Sequence, residues 1–325
     1  MEKYDVVAIG ELLVDFTMNG KSEQGNPLFE ANPGGAPCNV LSMLQKLGKR
    51  TAFIGKVGAD SFGWMLKEAL DGQGIQTDNL VMDSGVPTTL AFVHTAEDGD
   101  RSFSFYRNPG ADMMLRREEV NQELIRNTKI FHFGSLSMTD KEIENTTRMA
   151  VEAAKESGAL ISFDPNLRPP LWRSLEEARE KIEYGIRKCD ILKISDDEIE
   201  FFTGMSDIDK GVSRIQEKYH TPLICATMGK NGSKVFYDGC KVVCKPFLRE
   251  DTIETTGAGD TFMGCVLNRI LEAGFGQLRE QQLYDMLEFA NAAASIITTR
   301  KGALRVMPDK QEVLKFINES RRKNN

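Results

Sequence analysis

Residues 251–264 read DTIETTGAGDTFMG. Two threonines lead into Gly257-Ala258-Gly259, a single acid follows at Asp260, and an apolar series begins with Phe262, Val266, Leu267 and Ile270 at helical spacing. The pattern predicts a strand ending at Thr255-Thr256, a glycine-rich corner, and a helix whose first turn carries the acid. Free backbone N–H groups point out of such a corner, and the helix dipole adds positive potential there. The corner therefore holds an anion without a positively charged side chain. Asp260 has two readings at this point. It is either an acid that compensates the dipole or a general base beside a bound phosphate. No Walker-type G-x-x-x-x-G-K-[ST] loop occurs in the chain.

Working outward, strand and helix patterns alternate. Val6–Gly10 and Ala52–Gly55 read as strands, and a helix follows Pro37 with Val40, Leu41, Leu44 and Leu47 on one face. A second helix spans about 61–71, and further strands are expected at 130–134, 159–163, 190–194 and 222–227. Such alternation implies an α/β fold with a mainly parallel central sheet flanked by helices. Two segments break it. Leu12–Phe16 with the polar stretch to Phe29 follows the first strand directly, and TTLAFVH and RSFSFYR, joined by EDGD at 97–100, read as a hairpin. Residues 12–32 and 87–107 are thus expected to form a small β lid, with 1–11, 33–86 and 108–325 as the large domain.

The bulk numbers narrow the function. With 41% hydrophobic and 27% charged residues over 325 positions, the composition is that of a soluble globular protein. No stretch approaches the roughly 18 apolar residues of a membrane span. The N-terminus lacks the features of a signal peptide, so a cytoplasmic location and reduced thiols at the six cysteines are expected. A net charge of −7 without a basic block argues against nucleic acid as the main partner. An anionic ligand must then be held by local dipoles and a few placed cations.

The motifs in their order carry a resemblance. PGGAPCNV at 33–40, FIGKVGADSFG at 53–63, FYRNPGAD at 105–112, FHFGSLS at 131–137, FDPNLRPPLW at 163–172, ETTGAGDTF at 254–262 and TTRKGA at 298–303 resemble the ribokinase-like (PfkB) carbohydrate kinases over essentially the whole chain. Within that family the chain is most similar to fructokinases. The resemblance implies a ribokinase-like three-layer fold with a β lid, a small-molecule sugar and ATP as partners, Mg²⁺, and a homodimer formed through the lid. It implies Asp260 as catalytic base, the 257–259 backbone as anion hole, and Arg168 as the cation on the transferred phosphate. On the sugar side it implies Asp15, Gly34, Gly35 and Asn39, with Phe92, Phe103, Phe105, Tyr106 and Arg107 as candidates from the lid region. Strand alternation does not allow all four lid aromatics on one face. On the nucleotide side it implies Lys193, Ser195, Glu198, Thr227, Gly229, Gly232 and Asn291, with Glu198 acting on Mg²⁺ through water.

One position departs from the family pattern. Glu254 stands where an Asp tied to a monovalent cation is usual, which puts potassium binding by Glu254 and Thr256 in doubt. The reading favoured by these residues is ATP-dependent phosphorylation of D-fructose at the 6-hydroxyl. A related kinase for another sugar or a sugar acid such as 2-keto-3-deoxygluconate is the second reading, because an Arg near the sugar suits a carboxylate. A non-catalytic sugar-binding paralogue is the third.

Overall fold

The computed structural model describes residues 3–95 and 101–323. Nine strands form the large sheet. Their order is Cys240–Cys244, Ser233–Tyr237, Leu223–Thr227, Ile191–Ser195, Leu160–Asp164, Thr128–Gly134, Tyr4–Ile9, Thr51–Gly58 and Gln76–Asp83. All neighbours from Leu223–Thr227 to Gln76–Asp83 pair in parallel, and the two strands at the other edge pair antiparallel. This is the ribokinase-like α/β fold.

The core divides by strand alternation. Val6 and Ala8 belong to one buried apolar cluster, with helices Ala36–Lys46, Ala258–Ala273 and Glu280–Ile297. Val7 and Ile9 belong to a second, with Lys141–Glu156 and Leu175–Lys188. Successive side chains point to opposite faces of a strand, so a sheet covered on both sides needs near-continuous apolar runs such as VVAI and ILKI.

From Tyr4–Ile9 the chain first builds towards one edge and then returns to build towards the other from Thr128–Gly134. In open α/β sheets the crevice beyond the carboxyl ends at such a reversal is where ligands bind.

A separate four-stranded sheet has the order Pro27–Gly34, Leu13–Lys21, Leu90–Thr95, Arg101–Tyr106. The hairpin expected from the sequence is present as antiparallel pairing of its last two strands. The turn expected at 97–100 lies outside the described residues, as does the side chain of Phe103.

Two expectations need correction. Residues 251–255 form no strand, because that segment has no sheet neighbour. Instead Ile253 and Glu254 donate their N–H groups to the Thr298 carbonyl at 2.8 and 3.1 Å. The sheet is also wider than expected, by Gln76–Asp83 at one edge and the 233–244 hairpin at the other. Among the described residues no helix is long and apolar enough to cross a membrane.

Candidate active site

The corner at 257–259 sits at the crevice. Gly257 has φ +76°, and a Cβ there would lie 2.5 Å from that of Ala303, so both backbone and space require glycine. The Ala258–Ala273 helix starts at once. The Ala258 N–H folds back on the Thr255 carbonyl at 3.2 Å, which leaves the Gly257 and Gly259 amides as the corner's donors to an anion. Gly259 makes room for a different neighbour. The Lys193 ammonium lies 3.1 Å from where its Cβ would be.

Asp260 is buried in the first turn of that helix, and its Oδ2 accepts the Asn39 Nδ2–H at 2.8 Å. Burial raises its pKa above the ordinary carboxylate value, while the Asn39 hydrogen bond, Lys193 and Arg168 hold it back. Asn39 Oδ1 is buried and has no hydrogen-bond partner. An acceptor left open beside a carboxylate is suited to a ligand hydroxyl.

Asp15 comes from the small sheet and reaches the same space. A Cβ on Gly34 would stand 2.2 Å from its Oδ2, so that glycine makes room for the acid. Burial and the neighbouring Glu254 and Asp260 push Asp15 up to about 7, with Arg168 opposing. Gly35 is held to glycine by the Glu11 carbonyl, 2.3 Å from its would-be Cβ at φ +130°.

These groups line a cavity of about 450 Å³ that includes Asp15, Gly35, Asn39, Phe105, Arg168 and Asp260. A second cavity, about 540 Å³, holds Thr227, Gly229, Gly232, Asn291, Leu248 and Phe262. The two share Ser195, Thr255 and Gly259. The glycine corner is therefore the gate between a polar chamber and a largely apolar one, with Asp260 on the polar side.

The carboxyl ends of two neighbouring parallel strands, Leu160–Asp164 and Ile191–Ser195, furnish the floor. Lys193 donates to Asp164 Oδ1 at 3.1 Å and lies 3.0 Å from Oδ2 in ion-pair contact. Glu198 closes a capping box with Ser195, taking the Ser195 N–H at 2.9 Å, and its other oxygen accepts the Leu167 N–H at 2.8 Å. It thus fixes the loop bearing Arg168. Asp164, Asn166 and Glu198 each bring to this floor oxygen atoms of the kind a hard cation takes, beside the Lys193 ammonium. Mg²⁺ is typically held by one or two carboxylates plus phosphates and water rather than by a protein cage. Among the described residues there is indeed no group of three or more His, Cys, Asp or Glu arranged as such a cage.

Several residues singled out from the sequence lie elsewhere or are engaged otherwise. Phe92 stacks on Phe16 with ring centroids 4.8 Å apart and meets Tyr106 edge-on at 5.4 Å. Phe105 is in register with Ala91 and Asp15, so alternation puts Phe92 and Tyr106 on the opposite face of the small sheet. Of the lid aromatics whose side chains are described, Phe105 is the one lining the sugar-sized chamber.

Arg107 is buried. Its guanidinium pairs with Asp112 at 2.6 Å and donates to Thr139 Oγ1 and the Leu136 carbonyl. It braces the fold and does not line either cavity, which removes the feature that favoured a sugar acid. Asn291 lines the second cavity, but its amide accepts from Ser233 and donates to the Lys245 carbonyl. Glu254 Oε1 accepts the Gly302 N–H at 2.7 Å. That contact ties two loops directly, and with Thr256 it borders a recess of about 20 Å³ beside Asp15.

Sequence reasoning missed Glu11 and Asp164. Glu11 is buried at the cavity wall and accepts the Ala36 N–H at 2.8 Å, and burial pushes it up to about 7. The signal for Glu11 was an acid directly after a buried strand, where the crevice must open.

The model of the pfkB family carbohydrate kinases matches residues 3–310. The chain belongs to this family. A protein from Arabidopsis thaliana described as probable fructokinase-2 is 43% identical over 314 residues, 96% of this chain and 95% of its own. Among solved structures, a fructokinase from Xylella fastidiosa with bound ATP superposes with TM-score 0.88 at 30% identity, covering 98% of this chain and 99% of that one. A double-mutant fructokinase from Vibrio cholerae O395, in a fructose-, ADP- and potassium-bound form, gives TM-score 0.86 at 28% identity over 98% and 99%.

Proposed function

We propose that this PfkB kinase is an ATP-dependent fructokinase, converting D-fructose and ATP to fructose 6-phosphate and ADP. The carrying observation is the junction of two cavities at Gly259 with a buried carboxylate, Asp260, at the gate. The relatives described as fructokinases, and those solved with ATP, ADP or fructose, support a sugar and ATP as the two substrates.

Fructose occupies the chamber between Asp15, Asn39 and Phe105, its hydroxyls donating to Asp15 and to Asn39 Oδ1. Asp260 accepts the 6-hydroxyl proton as that oxygen bonds to the γ-phosphorus, and the bond from phosphorus to the ADP oxygen breaks. The Gly257 and Gly259 amides and Arg168 balance charge on the transferring group. Lys193, Ser195, Thr227, Gly229 and Gly232 border the nucleotide. Asp164 and Glu198 would hold Mg²⁺, which when bound neutralises phosphate charge. Glu254 acts here as a loop tie, and no step is assigned to potassium.

Purified protein assayed with ATP against a panel of ketohexoses, aldohexoses, sugar acids and nucleosides is expected to turn over fructose with the highest kcat/KM. A higher value for any other acceptor would replace the substrate assignment while leaving the kinase reading intact.

Residues 12–32 and 87–107 serve as a lid, and its outer face supports pairing between two copies. Phe16, Phe29 and Phe92 form a cluster there, with Met18 56% and Tyr106 66% exposed. Tyr106→Glu is expected to shift a dimer to monomer in sedimentation velocity runs. A dimer that survives the change would place the interface elsewhere.

A further inference from the structure

Far from the gate, the lower half of the Ala258–Ala273 helix packs beside Glu280–Ile297 and Lys310–Lys323 around a cavity of about 340 Å³. That is within the size range of small-molecule sites, about 300–1,000 Å³. Its polar wall is unusual. Asn268 is only 6% exposed, and its Oδ1 has no hydrogen-bond partner. Its neighbour Arg269 has a buried Nε that is likewise unpartnered. A buried amide and a guanidinium edge left open in adjacent positions are costly unless something else satisfies them.

The surrounding charges stand close without closing on Arg269. Glu272 lies 3.9 Å from its Nη1 and Asp285 4.0 Å from its Nη2. Lys49 and Lys310 sit 3.8 and 3.7 Å from Glu272. These separations exceed hydrogen-bond length. Arg269 and Lys310 on the cavity wall thus face Glu272 and Asp285, so the charges balance in number while none of them closes on the open guanidinium edge. Arg321 adds nothing to that balance, because it grips Glu288 through two contacts of 2.6 and 3.2 Å. The remaining wall is apolar, with Met286, Leu314 and Ile317.

A matching ligand has three features. A single negative charge answers Arg269 and the Asn268 NH₂, an adjacent N–H or O–H donor answers Asn268 Oδ1, and an aliphatic tail covers the apolar wall. We propose that this cavity binds a small aliphatic carboxylate with a donor on its α carbon, an α-amino or α-hydroxy acid. The site is separate from the cleft that the proposed kinase reaction uses, so its test is independent of that reading. It shares a helix with Asp260, eight residues away, or about 12 Å along the axis.

The test uses the full chain with ADP and fructose present, and follows the melting temperature during titration with three probes. L-leucine carries the amine, 2-hydroxyisocaproate the hydroxyl and 2-ketoisocaproate neither. A saturable rise is expected with leucine or with the hydroxy acid, and whichever acts identifies the donor. The keto acid is expected to bind at least about tenfold more weakly, the value of one lost hydrogen bond to a charged or buried partner. Asn268→Leu and Leu314→Trp, the second a partly exposed position that fills the cavity without removing a polar group, are both expected to abolish the rise. No rise with either donor-bearing probe, or a rise that survives in Leu314→Trp, would overturn the proposal.

Discussion

Asp260→Asn is expected to lower kcat by about 10²–10⁴-fold, the range for a general base, while the KM for fructose changes little. The substitution is nearly isosteric, and its oxygen still accepts the Asn39 amide that holds the position at 2.8 Å. What disappears is the site that takes the proton. The wild-type profile should carry the signature of the same group. Burial raises the Asp260 pKa, and a base works only when ionised. The acid limb of kcat/KM is therefore expected to fall off at a pH above the ordinary carboxylate range, and higher pH restores activity. An Asp260→Asn enzyme with wild-type turnover would return Asp260 to the role of a helix-dipole acid. An acid limb near the value of a free aspartate would mean that bound substrate relieves the burial.

The corner that presents Asp260 was legible because its signal is local. Glycines followed by an acid and a helical apolar period occupy one continuous stretch, and the structure starts a helix at Ala258. The parallel sheet was legible for the same reason, since buried strands such as VVAI have no polar face to disguise them. Gln76–Asp83 escaped because an edge strand keeps polar residues, here QTDN, and resembles a loop. The segment ending at Thr255-Thr256 was read as a strand, yet the N–H groups of Ile253 and Glu254 go to Thr298, a partner 44 or 45 residues away that no local pattern reveals.

Site residues divide along the same line. Parity along the lid strands could separate Phe92 and Tyr106 from Phe105, but only the register with Asp15 decides which side faces the chamber. Arg107 looked available for a ligand because its charge was visible and its partners were not. Asp112 is close in sequence, whereas Thr139 and the Leu136 carbonyl arrive from the end of another strand. Asp164 was hidden inside the motif that supplied Arg168. Its meaning depends on the parallel alignment that sets it beside Lys193.

That alignment gives the second large effect, because Lys193 is the cation beneath the whole gate. Burial by itself would lower its pKa. The carboxylates of Asp164, Glu198 and Asp260 outweigh burial and raise it, so the ammonium stays charged. Asp164 is still held above its ordinary value, by burial first and by Glu198 and Asp260 next, even with Lys193 opposing. One ammonium thus serves three carboxylates. Lys193→Met preserves much of the chain volume and removes the charge, stranding Asp164 at 2% exposure.

The expected loss at neutral pH is about 3–5 kcal/mol, the range for breaking a buried pair by deleting one partner. The sign with pH follows from the carboxylates. The folded-state pKa values of Asp164 and Asp260 are already raised, and without the ammonium they rise further, so the folded variant takes up protons as the pH falls. The stability gap between variant and wild type should therefore be widest near neutrality and shrink as pH drops through the raised carboxylate range. Urea denaturation at a series of pH values measures it. A gap that is the same at every pH would show that Lys193 contributes through packing and not through charge. The variant's acid limb in kcat/KM should also move to higher pH, because Asp260 has lost one of the two cations that favour its ionised form.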